Sequence, residues 1–145
     1  MVAPRQLDLL TDWTPPEAVE RFDPALVRAA TLTGRIAKTV SAALKGKNRD
    51  DIAKRMSDWI GSEVSRHMLD AYASEAREDH VISLPRALAL LHATRDRRLL
   101  QALIEDLGWA IVEARHVPLI DLAEIEEERT RLGKLADAKR REARR

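Results

Sequence analysis

A chain of 145 residues without cysteine is long enough for one modest core, and it excludes disulfides, Cys-based zinc sites and thiol catalysis. Charged residues make up 34% and aromatics 3%, a mix that favours helices and leaves strands short of their preferred residues. The formal net charge of +1 excludes a global basic signature for nucleic acid.

The opening "MVAPRQLDLLTDW" has no basic region followed by an apolar run, so no signal peptide is expected. No apolar stretch approaches the roughly 20 residues of a membrane span. A protein without membrane contact, in the cytoplasm, is the expectation. Residues 1–22 read as an extended arm, because Pro4, Pro15 and Pro16 forbid a continuous helix. Leu7, Leu9, Leu10, Trp13 and Phe22 make it apolar enough to dock on this core or on a partner.

A first helix is predicted from Pro24, capped by Asp23. Leu26, Ala29, Ala30, Ile36, Ala37, Val40 and Leu44 recur at helical spacing, with Gly34 as a soft spot. The segment "KGKNRDD" ends it and supplies caps for a second helix over about 50–60, with Ile52, Ala53, Met56 and Ile60 on one face. Gly61 stands where a left-handed C-terminal residue is wanted. Ser62 would then cap a third helix at once, its stripe being Val64, Met68, Ala71 and Tyr72. So short a joint predicts a sharp angle between the two helices, as in helix-turn-helix units.

The polar "SEAREDH" follows. A fourth helix starts at Ser83 with Pro85 in its first turn, and its predicted stripe is Leu84, Leu88 and Leu91, with His92. "TRDRR" is a turn, and a fifth helix carries Leu99, Leu100, Leu103, Ile104 and Leu107 up to Gly108. "WAIVEA" suits a short strand or an extended apolar plug. Pro118 opens a last long helix in which Leu122, Ile125, Arg129, Leu132 and Ala136 alternate steps of three and four, a short coiled-coil rhythm. Asp121 to Arg129 holds five acids and one base, and Lys134 to Arg145 six bases and two acids. That order complements the helix dipole, and a solvated helix, a dimer helix or a basic tail would each account for it.

Little in the chain suggests catalysis. His67, His80, His92 and His116 form no pair at helical spacing, the glycines are scattered singly, and no serine sits in a G-x-S-x-G context. No catalytic residue, metal or cofactor is expected. DNA binding has more support. Lys45, Lys47, Arg49, Lys54 and Arg55 gather around the entry to the second helix. Of these, Lys47, Arg49, Lys54 and Arg55 are the candidate phosphate contacts. The third helix would present Ser62, Ser65, Arg66 and His67 to base edges, Arg66 being suited to guanine. Glu63 and Asp70 share its outward face and oppose phosphates.

The segment "VISLPRALALLHATRDRRLLQALIEDLGWAIVE", residues 81–113, resembles the second half of phage CII-type regulatory proteins. The resemblance lies in an amphipathic helix over Leu84 to His92, a turn carrying Thr94, Asp96, Arg98, Leu99 and Leu100, and the apolar stretch Gly108 to Val112. "DDIAKRMSDWIGSEVSRHMLDAYASEAREDH" also looks like small regulators of Mu-like prophages. Together the likenesses span about residues 48–113, and they imply a helix-turn-helix within 50–75. Gly61 follows Ala53 at a wider spacing than compact units of this kind use, so the first helix of the unit should be longer here.

These readings converge on an all-α fold. Its expected parts are an arm (1–22), a helical DNA-binding domain of five or six helices including the last (23–117 for its body) and a protruding C-terminal charged helix (118–145). The expected function is sequence-specific binding of double-stranded DNA as a phage-type transcriptional regulator, as a homodimer or larger homo-oligomer. The alternative is a non-catalytic helical module that docks a protein partner through the arm and the last helix.

Overall fold

The computed structural model describes residues 17–77 and 79–144. Among these residues seven α-helices follow one another: α1 (Pro24–Val27), α2 (Leu32–Leu44), α3 (Arg49–Ile60), α4 (Arg66–Tyr72), α5 (Leu84–Thr94), α6 (Arg98–Ile104) and α7 (Val117–Ala143). Single 3-10 turns, Glu105–Leu107 and Ala114–His116, extend α6 and introduce α7. No strand occurs among the described residues, and "WAIVEA" is neither a strand nor a buried plug: Trp109 is 65% exposed and Ile111 and Val112 are only half-buried on irregular backbone. The predicted dock points Leu7, Leu9, Leu10 and Trp13 lie outside the described residues.

The single helix expected from Pro24 to Leu44 is two. Thr31 ends the first stretch by capping α2, its side chain accepting the Gly34 N–H at 3.1 Å. Gly34 fits beneath that cap because a β-carbon there would lie 3.1 Å from Thr31 Oγ1 and 3.2 Å from the Ala29 Cβ. Local capping thus overrides an apolar period whose residues nearest the break, Ala29 and Ala30, are small alanines. Leu26 and Ala30 consequently face water, and Val27 takes the core position.

The core forms where α2, α3, α4, α5 and α6 meet, and the pairing of α3 with α5 is the most extensive. Ile52, Ala53 and Met56 of α3 face Ala87, Ala89, Leu90 and Ala93 of α5. The small alanines suit a close approach of the two helices. This corrects the predicted α5 stripe: Leu84 and Leu88 point outward, and Leu91 is only half-buried. Phe22 is buried under the Arg98 guanidinium, 4.4 Å from its ring centroid, so the end of the arm docks on this chain's own core.

Beyond Gly108 the chain is held by a buried polar side chain. The Gln101 amide accepts the Ile111 N–H at 2.7 Å and donates to the Trp109 carbonyl at 3.3 Å. The expected long last helix is present as α7, which buries none of its residues. Its extensive packing among the described residues is confined to the 3-10 turn before it. At 1.5 Å per residue it projects for about 40 Å.

Candidate nucleic-acid interface

The α3–α4 unit is built from cap chemistry. The Asn48 side chain accepts the N–H groups of Asp50 and Asp51 at 3.0 and 3.2 Å and starts α3. Asp50 and Asp51 in the first turn complement the helix dipole. Gly61 ends α3 in the left-handed region, at φ 68°, with its N–H donating to the Ser57 carbonyl at 2.9 Å. A side chain there would meet nothing within 4 Å, so glycine is favoured for its backbone freedom alone.

The joint is longer than predicted. Ser65, not Ser62, caps α4: its hydroxyl accepts the Met68 N–H at 3.2 Å, and the Met68 sulfur in turn faces the Ser65 N–H at 3.5 Å. Residues 62–64 therefore run outside both helices. Ser57 explains the displacement. Its hydroxyl accepts the Val64 N–H at 2.8 Å, with the Ala53 and Val64 carbonyls at 2.8 and 3.1 Å as acceptors for its own proton. This clip draws Val64 into the core beside the middle of α3, and only then can a new helix begin. A serine inside a helix looks like surface in the sequence, so its role as a clip was not legible there.

α4 buries Leu69, Ala71 and Tyr72 and turns Arg66, His67 and Asp70 to solvent. It is covered on one side and open on the other. The Arg66 side chain is 61% exposed and donates to Asp50 at 3.1 Å. Arg49 donates to Asp70, so the start of α3 and the open side of α4 are joined by two crossed ion pairs. Lys54 donates to Asp58 at 2.7 Å, and Arg55 lies 4.0 Å from Asp51. The Lys54 hydrogen bond to Asp58, aided by that charge, holds its ammonium above the ordinary lysine range.

Among the predicted contacts, Ser62, Arg66, His67, Lys54 and Arg55 are exposed, and Arg49 is half-buried at the edge. Ser65 is committed to its cap, which leaves its O–H proton and one lone pair for a ligand. Lys47 is drawn inward: its ammonium donates to the Ala43 carbonyl at 2.7 Å and lies 3.9 Å from Asp96. The face is a mosaic in which each long cation meets a carboxylate. Exposed pairs of this kind are worth only about 0–1 kcal/mol, so they exchange readily for a phosphate. The carboxylates they release still repel it.

A second exposed surface was not legible in the sequence. Trp59, 50% exposed, stacks on His92 with ring centroids 4.9 Å apart and planes at 15°. Leu88 and Leu91 continue this apolar groove, and Arg95 and Arg97 border it. Its leucines, Leu88 and Leu91, belong to the stripe that the sequence pattern places in the core.

No cluster of three metal-ligating side chains occurs among the described residues. None of the described helices is long and apolar enough to cross a membrane. The chain matches no protein-family model, no curated protein and no solved structure.

Proposed function

We propose that this chain is a sequence-specific DNA-binding regulator of phage type that uses the α3–α4 unit. The observation that carries the proposal is the open side of α4. A helix anchored by Leu69 and Tyr72 presents Arg66 and His67 outward at its first turn, the end that enters a major groove in helix-turn-helix recognition. Arg66 would read guanine, and Ser62 would approach the neighbouring edge from the linker. Arg49, Lys54 and Arg55 would anchor phosphates once their carboxylate partners are displaced. Lys47 contributes instead to the turn between α2 and α3. Two such units in a homodimer would address half-sites about one helical turn apart.

The test is Arg66→Ala, compared with the parent on the duplex that the parent selects from a random pool. A bidentate base contact predicts an affinity loss of about 1–3 kcal/mol at that site, with relaxed preference at one position. Lys54→Ala should weaken all sequences alike. An Arg66→Ala variant that binds its selected duplex as tightly as the parent contradicts the assignment.

An alternative, docking of a protein partner, is favoured by one specific observation: the Trp59–Leu88 groove is an exposed apolar surface with a stacked aromatic pair at its centre.

A further inference from the structure

The least explained part of the molecule is α7. It exposes Leu122, Ile125, Leu132 and Leu135 along a helix that buries nothing. An isolated helix of this kind is stable in water only marginally, because most helical stability comes from packing an apolar face. Leu122, Ile125, Leu132 and Ala136 lie on one seam at alternating steps of three and four, and Arg129 stands at its middle.

The charges choose the partner. Residues 121–128 carry Asp121, Glu124 and three consecutive glutamates, Glu126 to Glu128, with no base. The bases Lys134, Lys139, Arg140, Arg141 and Arg144 follow. The helix is thus acidic over one half and basic over the other. Laid parallel on a second copy, it sets acid against acid and base against base. Laid antiparallel, it sets each acidic half against a basic half, twice over by symmetry.

We propose that α7 pairs antiparallel with α7 of a second copy of this chain. The register that matches the seam from Ile125 to Ala136 is centred between Thr130 and Arg131; it places Ile125 opposite Ala136 and Leu122 opposite the stem of Lys139 of the other copy. Leu132 then lies opposite Arg129, whose stem covers apolar surface while its head reaches the edge. A single polar residue at such a position costs stability and fixes register. The pairing stands independently of DNA binding, since no residue of the α3–α4 unit takes part.

The experiment uses the full chain, which has no cysteine of its own. Sedimentation equilibrium should show a dimer at concentrations up to about 100 µM, and Ile125→Lys with Leu132→Lys should raise its Kd more than about 100-fold. Circular dichroism of the variant checks that the helices of the body are retained. Orientation is read by oxidation: a mixture of Ile125→Cys and Ala136→Cys chains should form a disulfide-linked pair, and Ile125→Cys alone should not. Cross-linking of Ile125→Cys with itself would mean a parallel pair and overturn the proposal. A monomeric parent, or a dimer that survives the double lysine variant, would overturn it as well.

Discussion

Asp96 sits in the bend between α5 and α6 and ties three parts of the chain together. Its carboxylate accepts Nε and Nη2 of Arg98, both at 2.8 Å, and the Arg98 backbone N–H at 3.2 Å. Lys47, from the turn between α2 and α3, lies 3.9 Å away, and Arg98 in turn covers Phe22. Burial works to raise the Asp96 pKa. The hydrogen bonds and charge of Arg98, with Lys47, outweigh it and hold the carboxyl below the ordinary aspartate range. A carboxyl whose pKa is lower in the folded state stabilises the fold above its unfolded pKa, and that contribution is lost as pH falls through the folded value. Asp96→Asn should therefore lower stability at neutral pH by about 1–2 kcal/mol, water around the partly exposed Arg98 keeping the figure small. It should also flatten the acid limb of stability between the ordinary aspartate pKa and the lower folded value. Urea midpoints measured from neutral to acid pH check both. An unchanged midpoint and an unchanged acid limb would refute the account of this bend.

At the scale of elements, the load is divided unequally. α5 is pinned by the fully buried Leu90 in the core cluster that it shares with Met56 of α3, whereas α7 buries nothing. Leu90→Ala should destabilise the body by about 2–5 kcal/mol. Ending the chain at His116 should leave the unfolding free energy of the body, read from urea titration, within about 0.5 kcal/mol of the parent. A truncation that unfolds the body would show that α7 supports the core. Much at this scale was legible in the sequence: α3 through Asn48 and Gly61, α5 through Ser83 and Pro85, the stop at Gly108, and α7 through Pro118. What escaped did so for identifiable reasons. Thr31 was one polar residue set against a long apolar period. The α5 core face is made largely of alanines, which mark neither core nor surface, so the leucines at 84 and 88 were assigned to it instead. Gln101, buried, and Ser57, half-buried, look like surface residues but act as clips on backbone several residues further along the chain.

For the whole molecule, the two proposals divide the work: the open side of α4 and the exposed cations of α3 would meet DNA, and α7 would join two copies. The candidate site was legible in part: Arg66, His67, Lys54 and Arg55 are exposed as expected. Residue spacing could not disclose that Asp50, Asp51, Asp58 and Asp70 would each meet one of the cations. Those pairings make the face nearly neutral, so the binding it supports should depend on salt less steeply than a face of unopposed cations. The measurement that tests the central claim most directly is equilibrium binding of the full chain to a pool of random-sequence duplexes at low and moderate salt. The account predicts enrichment of a discrete sequence and an affinity that falls by about one to two orders of magnitude between about 50 and 200 mM salt, as two to four phosphate contacts require. No retention of any duplex at the lower salt would contradict it, and would leave the Trp59 groove and α7 as the working surfaces of the protein.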